Sequence, residues 1–114
     1  MTDKKHLHIL WTSADPITAD KMVFMYAINA MANGWWDELT LIVWGGSTQL
    51  ISENEAIQAR VQGVIDAGVQ VIACKGCADQ LGVSEKLESL GIDVRYTGVM
   101  LTKLLNGEQP LLTI

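Results

Sequence analysis

The feature that most constrains this chain is a regular alternation of short apolar runs with helix-patterned stretches. The runs LHILWTS (7–13), ELTLIVWGG (38–46), VQVIAC (69–74), DVRYTG (93–98) and PLLTI (110–114) read as strands, bounded by glycine or small polar residues. The second is apolar on both faces, as a buried parallel strand must be. Between the runs lie helix signals. Thr18 is placed to cap a helix that Gly34 stops. Ser52 and Glu55 have the spacing of a capping box, ahead of a helix in which Ile57, Val61, Val64 and Ile65 share one face and which Gly68 ends. Ala78 to Ser89 reads as helical with an interruption at Gly82, Ser84 being able to cap a second segment that runs to Gly91, and VMLTKLLNG (99–107) forms a short last helix.

Strands alternating with helices predict a parallel sheet joined by right-handed crossovers. The expected architecture is a three-layer, flavodoxin-like α/β fold: a mostly parallel five-stranded sheet with helices on both faces, in a single domain over 1–114. A chain of 114 residues buries about two thirds of its unfolded surface without disulfide or metal staples.

One helix stands out. From Met22 to Ala32 only Asn29 is strongly polar, so every side of the helix is apolar. A small three-layer domain covers one side of such a helix itself, so a second subunit is expected against the other. The same stretch is far too short to span a bilayer. The net charge of -5, with no lysine or arginine cluster, argues against nucleic acid or an anionic membrane as a partner. The start MTDKKHLHILW has no apolar signal core and no small-residue cleavage site, so a soluble, cytoplasmic protein is expected. In that compartment the two cysteines stay reduced, reactive or inert rather than bridged.

In open parallel sheets, ligands bind beyond the carboxyl ends of the strands. Those ends are Thr12-Ser13-Ala14-Asp15, Gly45-Gly46-Ser47, Cys74-Lys75-Gly76-Cys77 and Thr97-Gly98, all predicted to share one edge. With a helix starting near Cys77 or Ala78, its free N–H groups, together with the Lys75 cation, favour a thiolate at Cys74. Gly76 would let the backbone bend closely around a charged sulfur. The competing expectation is that both thiols simply pack, Cys77 more readily because it opens the helix. Asp15 is the one carboxylate at this edge, either orienting a loop or opposing the thiolate.

Other chemistries fit less well. A thioredoxin-type pair follows an earlier strand and faces a cis-proline, whereas the prolines here are Pro16 and Pro110. A zinc site needs about four ligands, and His6 and His8 flank the opposite end of strand one, as a solvated lead-in. TSADPIT has no glycine for close approach of a phosphate, and GGST is too short a signal for a nucleotide or flavin loop. No metal and no cofactor is expected. Trp11 and Trp44 read as packing, Trp35 and Trp36 as a subunit contact or a lid on the core, and Glu53, Glu55 and Arg60 as solvated.

VWGGSTQLI at the end of strand two, then a capped helix, then VIACKGCADQLGV with Gly82-Val83 eight and nine residues past Cys74, resembles the DsrE/DsrF-like family of YchN-type proteins and sulfur-relay subunits. The resemblance spans the element order of the whole chain. It implies a homo-oligomer, a trimer or hexamer. It also implies that the cysteine ending strand three, here Cys74, carries persulfide sulfur taken from a donor protein and passed to an acceptor. Cys77 falls where relay members often have a small apolar residue, and would act as a resolving thiol. Lys75, Gly76, Ser13, Asp15, Gly45 and Gly46 would support the site. Many members have no demonstrated activity, so two functions are carried forward. One is a sulfurtransferase-like persulfide carrier; the other is an oligomeric small-ligand-binding or structural module without catalysis.

Overall fold

A computed structural model describes residues 5–114. The residues Met1–Lys4, on which the reading of the N-terminal start partly rests, lie outside the described residues. Five strands form one sheet: β1 (His6–Trp11), β2 (Glu38–Val43), β3 (Gln70–Cys74), β4 (Asp93–Arg95) and β5 (Leu111–Thr113), in the order β4-β3-β2-β1-β5. Every pair is parallel. The α/β class and the five strands are as expected, and the sheet is parallel throughout.

The helices are α1 (Pro16–Thr18), running through a π-helical stretch Ala19–Phe24 into α2 (Met25–Ala32), then α3 (Gly46–Glu53), α4 (Glu55–Asp66), α5 (Lys75–Leu81), α6 (Ser84–Ser89) and α7 (Gly98–Asn106). Several caps differ from expectation. The first helix starts at Pro16 and is capped by Asp15, whose carboxylate accepts from the Thr18 backbone N–H at 3.0 Å and the Thr18 hydroxyl at 2.7 Å. Proline at the first helical position has no N–H to leave unpaired, which fixes the start two residues before Thr18. The capping box does not form, because Ser52 lies within α3, a helix the sequence reading missed. Asn54 caps α4 instead, accepting from the Ile57 N–H at 3.1 Å. Gly82 does interrupt the next helical stretch, in the left-handed conformation that glycine adopts without strain (φ 71°). Ser84 supplies no cap; its hydroxyl donates to Asp79.

The strand order decides where the core lies. The connections β1 to β2, β2 to β3 and β3 to β4 all step in one direction, so right-handed crossovers put their helices on one face. Leu7, Ile9 and Trp11, Leu39, Leu41 and Val43, and Val71 and Ala73 point to that face and pack in one cluster with Val23, Phe24, Ala27, Ile57, Val61 and Leu87. Trp11 and Phe24 meet edge to face, their ring centroids 5.2 Å apart. Only the connection from β4 to β5 runs back across the sheet, and it places α7 on the second face. That helix contributes no buried residue, yet it lies over a face carrying His8, Thr40, Ile42 and Ile72, all buried.

The apolar stretch 22–32 behaves as its composition implies. Val23, Phe24, Ala27 and Ala30 are buried, while Met22 and Met25 remain exposed beside Trp35. Trp36 packs against the core and donates its indole N–H to the Tyr26 hydroxyl at 3.0 Å. Arg60 is not merely solvated but pairs with Asp20 at 2.7 Å. No helix among the described residues is long and apolar enough to cross a membrane.

The histidines are built into the sheet rather than solvated. The rings of His6 and His8 stack with centroids 4.0 Å apart. His6 hydrogen-bonds Thr40 Oγ1 at 2.8 Å and lies 3.3 Å from Glu38. His8 is 7% exposed, and burial, with His6 beside it, lowers its pKa to about 4 despite the opposing pull of Glu38. The folded protein therefore refuses a proton that the unfolded chain accepts near pH 6.5. Stability should be fully present above that pH and fall by about 1–2 kcal/mol as pH drops from 7 towards 4. Urea unfolding across this range checks it: H8F, which keeps a ring but cannot titrate, should show a flatter pH dependence than the wild type.

Candidate functional site

Because every strand is parallel, the four strand-end loops do share one edge. Ser47, buried at the start of α3, ties two of them together. Its hydroxyl donates to the Trp11 carbonyl at 2.6 Å and accepts from the Trp44 N–H at 3.2 Å. Gly46 makes the approach close: a Cβ there would stand 2.9 Å from the Thr12 carbonyl oxygen and 3.0 Å from Ala14 Cβ. Gly45 just before it takes φ 72°, so both glycines serve the loop geometry. Ser13 accepts from the Asp15 N–H at 3.1 Å, and Asp15 is occupied as a cap. Its hydrogen bonds with Thr18 hold its carboxyl below the usual carboxylate range. Of the two roles considered for Asp15, ordering the loop is the one its bonds describe.

The two thiols are free, and both stand at this edge. The helix after β3 begins earlier than expected: Lys75 is already helical and Cys74 is its cap residue. Cys77 therefore lies in the first turn rather than at the helix start. The expected order of exposure is reversed, with Cys74 buried at 6% exposure and Cys77 half-buried. Strand alternation explains the burial. Val71 and Ala73 point into the main core, which leaves Ile72 and Cys74 on the α7 face. Cys77 turns towards the neighbouring loop, its sulfur 3.7 Å from Thr48 Oγ1 and 4.0 Å from the Gly45 carbonyl oxygen. Thr48, buried in α3, is a contact the sequence reading missed, because no helix is expected there before the Ser52–Glu55 box.

Lys75 is committed elsewhere than expected. It pairs with Asp79 one turn along α5 at 2.9 Å, and its ammonium lies 5.9 Å from the Tyr96 ring centroid. The hydrogen bond to Asp79 raises its pKa, while the Ser84 hydroxyl and then Lys75 lower that of Asp79. Gly76 sits in regular helix and borders open space, so it does not wrap the backbone around a sulfur; it leaves the first turn unshielded. Three helices start at this edge without a side-chain cap: α3 after Gly45, α5 after Cys74 and α7 after Thr97. Their free N–H groups favour negative charge nearby. A hollow of about 270 Å³ lined by Leu10, Thr12, Trp44, Gly45 and Leu101 opens beside the β1 and β2 ends. No group of three or more His, Cys, Asp or Glu with metal-holding geometry is found among the described residues.

No protein-family model and no curated protein matches the chain. Solved structures do. A conserved protein of unknown function from Bacteroides thetaiotaomicron, BT1422, is 34% identical over 96% of this chain and 95% of its own, with a TM-score of 0.94. The chain belongs to the family of that protein. Its fold is also that of the ychN protein from E. coli (TM-score 0.72, 18% identity, 98% of this chain and 100% of that one). The protein of unknown function MTH1491 from Methanobacterium thermoautotrophicum matches similarly (TM-score 0.73, 16% identity, 98% and 100%). Both share the five-stranded α/β fold of this chain, so the fold that the resemblance implies is present. In this chain the edge holding both cysteines is the edge the two strand-end motifs form.

Two outcomes follow from this geometry. Iodoacetamide should alkylate Cys77 in the native protein at least about tenfold faster than Cys74, which reacts only when the strand end opens. Peptide mass mapping after timed quenching reads both rates, and equal rates would contradict the burial of Cys74. Gly46→Ala should destabilise by about 1–3 kcal/mol in urea unfolding, since the new methyl meets backbone that cannot swing away.

Proposed function

We propose that this DsrE-like protein is a persulfide carrier of the sulfur-relay kind, acting in the cytoplasm as a homo-oligomer. The observation that carries the reading is the coincidence of the chain's two thiols with three uncapped helix starts at one sheet edge. A thiolate there attacks the outer sulfur of a donor protein's persulfide. The donor S–S bond breaks, the donor leaves as a thiolate, and a new S–S bond stands on the carrier. Position in the family motif makes Cys74 the sulfur acceptor. The burial of Cys74 makes Cys77 the thiol that a donor meets first, or the one whose thiolate attacks the inner sulfur of the persulfide, forming a disulfide and releasing the outer sulfur as hydrosulfide. Gly45, Gly46, Ser13 and Asp15 hold the surrounding loops, and Gly76 leaves the approach open. A second copy of the chain is the proposed cover for Met22, Met25 and Trp35, as the family resemblance to trimers and hexamers implies.

A specific observation favours a second reading. Cys74 is 6% exposed at the end of β3, as a packing residue would be. On this reading the protein is an oligomeric module that holds a small ligand at the hollow beside Trp44 and Leu101, without catalysis.

Incubation with a cysteine desulfurase and cysteine, followed by intact-mass measurement, separates the two. The carrier gains the mass of one sulfur atom in the wild type and loses that gain in C74A. Loading that persists in C74A and disappears in C77A would exchange the roles of the two thiols. A wild type that gains no sulfur would leave the binding module.

A further inference from the structure

The second sheet face carries a feature that the thiol edge does not explain. Along one flank of α7 runs a groove of about 520 Å³, from Arg95 to His6 and His8, with Lys103 on one wall and Met100 and Leu104 among its apolar lining. That volume lies within the range of small-molecule sites, roughly 300–1,000 Å³. Among the described residues, no carboxylate lines the groove. In a chain of net charge -5, a hollow lined by an arginine and a lysine beside two imidazoles is a local reversal of sign carried by Arg95 and Lys103. The neighbouring acids are partly accounted for, since Glu38 lies 3.3 Å from His6 and Asp93 pairs with Arg95 at 3.1 Å. Lys103 pairs with no carboxylate among the described residues.

A second, independent observation points to a ligand. His8 is more than nine-tenths buried, lines this groove, and its Nδ1 has no hydrogen-bond partner among the described residues. Leaving such a nitrogen unpaired costs about 1–3 kcal/mol, and native structures keep few of them. His6 does not meet the need: it stacks on His8 face to face and spends its own nitrogens on Thr40 and Glu38.

We propose that the α7 groove is a binding site for a small organic anion, a carboxylate on an apolar body. Its charge meets Lys103 and Arg95, with the buried His8 imidazole at the floor of the groove, and its body lies against Met100 and Leu104. The carboxylate complements the Lys103 ammonium and the Arg95 guanidinium. The apolar lining separates this ligand from a bare inorganic ion. The site does not depend on the thiols, so it stands or falls separately from sulfur transfer.

Benzoate is a suitable probe, followed by NMR of the full-length protein through the ring nitrogens of His8 and the amides of α7. Saturable shifts at both places are expected. Inorganic phosphate and benzyl alcohol, which lack the apolar body and the charge respectively, should each bind at least about tenfold more weakly. Lys103→Gln and Arg95→Gln, both at exposed positions, should each weaken benzoate about tenfold while circular dichroism shows an intact fold. His8→Phe should weaken it similarly. Cys77→Ala should leave it unchanged. The proposal is overturned if benzoate gives no saturable shift up to about 10 mM, if the two charge-removing variants bind it as the wild type does, or if the shifts fall at the thiol edge instead.

Discussion

The parallel pairing of β1 with β2, β2 with β3 and β3 with β4 is the constraint on which the rest of the molecule depends. A parallel neighbour can be reached only by a crossover, and a right-handed crossover stepping steadily one way must pass over the same face each time. All helical segments from Pro16 to Ser89 are thereby collected on one side, where they bury one continuous core. The return from β4 to β5 is the single reversal, and it leaves α7 alone to roof the other side. The asymmetry between a deep core and a thinly covered face is thus a consequence of strand order.

Both sites discussed above lie where this asymmetry leaves room. The strand-end edge exists because parallel strands all finish on one side. Its shape is set by two short-range ties, the Ser47 hydroxyl on the Trp11 carbonyl and the contact that only glycine permits at residue 46. The α7 groove exists because one amphipathic helix cannot fill a five-stranded face. What fills the remainder is polar: two stacked histidines, Thr40 and Gln70, the threonine hydroxyl donating to the glutamine at 3.3 Å.

Strand positions, the glycine stops at Gly34, Gly68 and Gly82, and the apolar face of α4 were legible in the sequence because each is a local signal. So was the convergence of the two cysteines with Gly45 and Gly46 at one edge, which follows from parallel topology alone. The caps were less legible. Thr18, Ser52 and Ser84 are all chemically competent to cap, and Pro16 and Asn54 outcompeted two of them by fixing where the helix could begin. The relative burial of Cys74 and Cys77 could not be read, because it turns on whether the helix starts at Lys75 or two residues later. A shift of that size decides whether Cys77 opens the helix or stands in its first turn, facing the next loop.

By itself the sequence determined the alternation of strand and helix, hence the parallel α/β class, the shared edge of the strand ends and the family motif around Cys74. These are consequences of periodicity and of the fixed hand of crossovers, which act within a few tens of residues. Only the tertiary structure decided the strand order, the burial of Cys74, the diversion of Lys75 to Asp79, and the placing of His8, Lys103 and Arg95 along one groove. Each of these depends on which face of the sheet a residue occupies and on what crosses above it. That is settled by packing between segments far apart in the chain, and no local pattern encodes it.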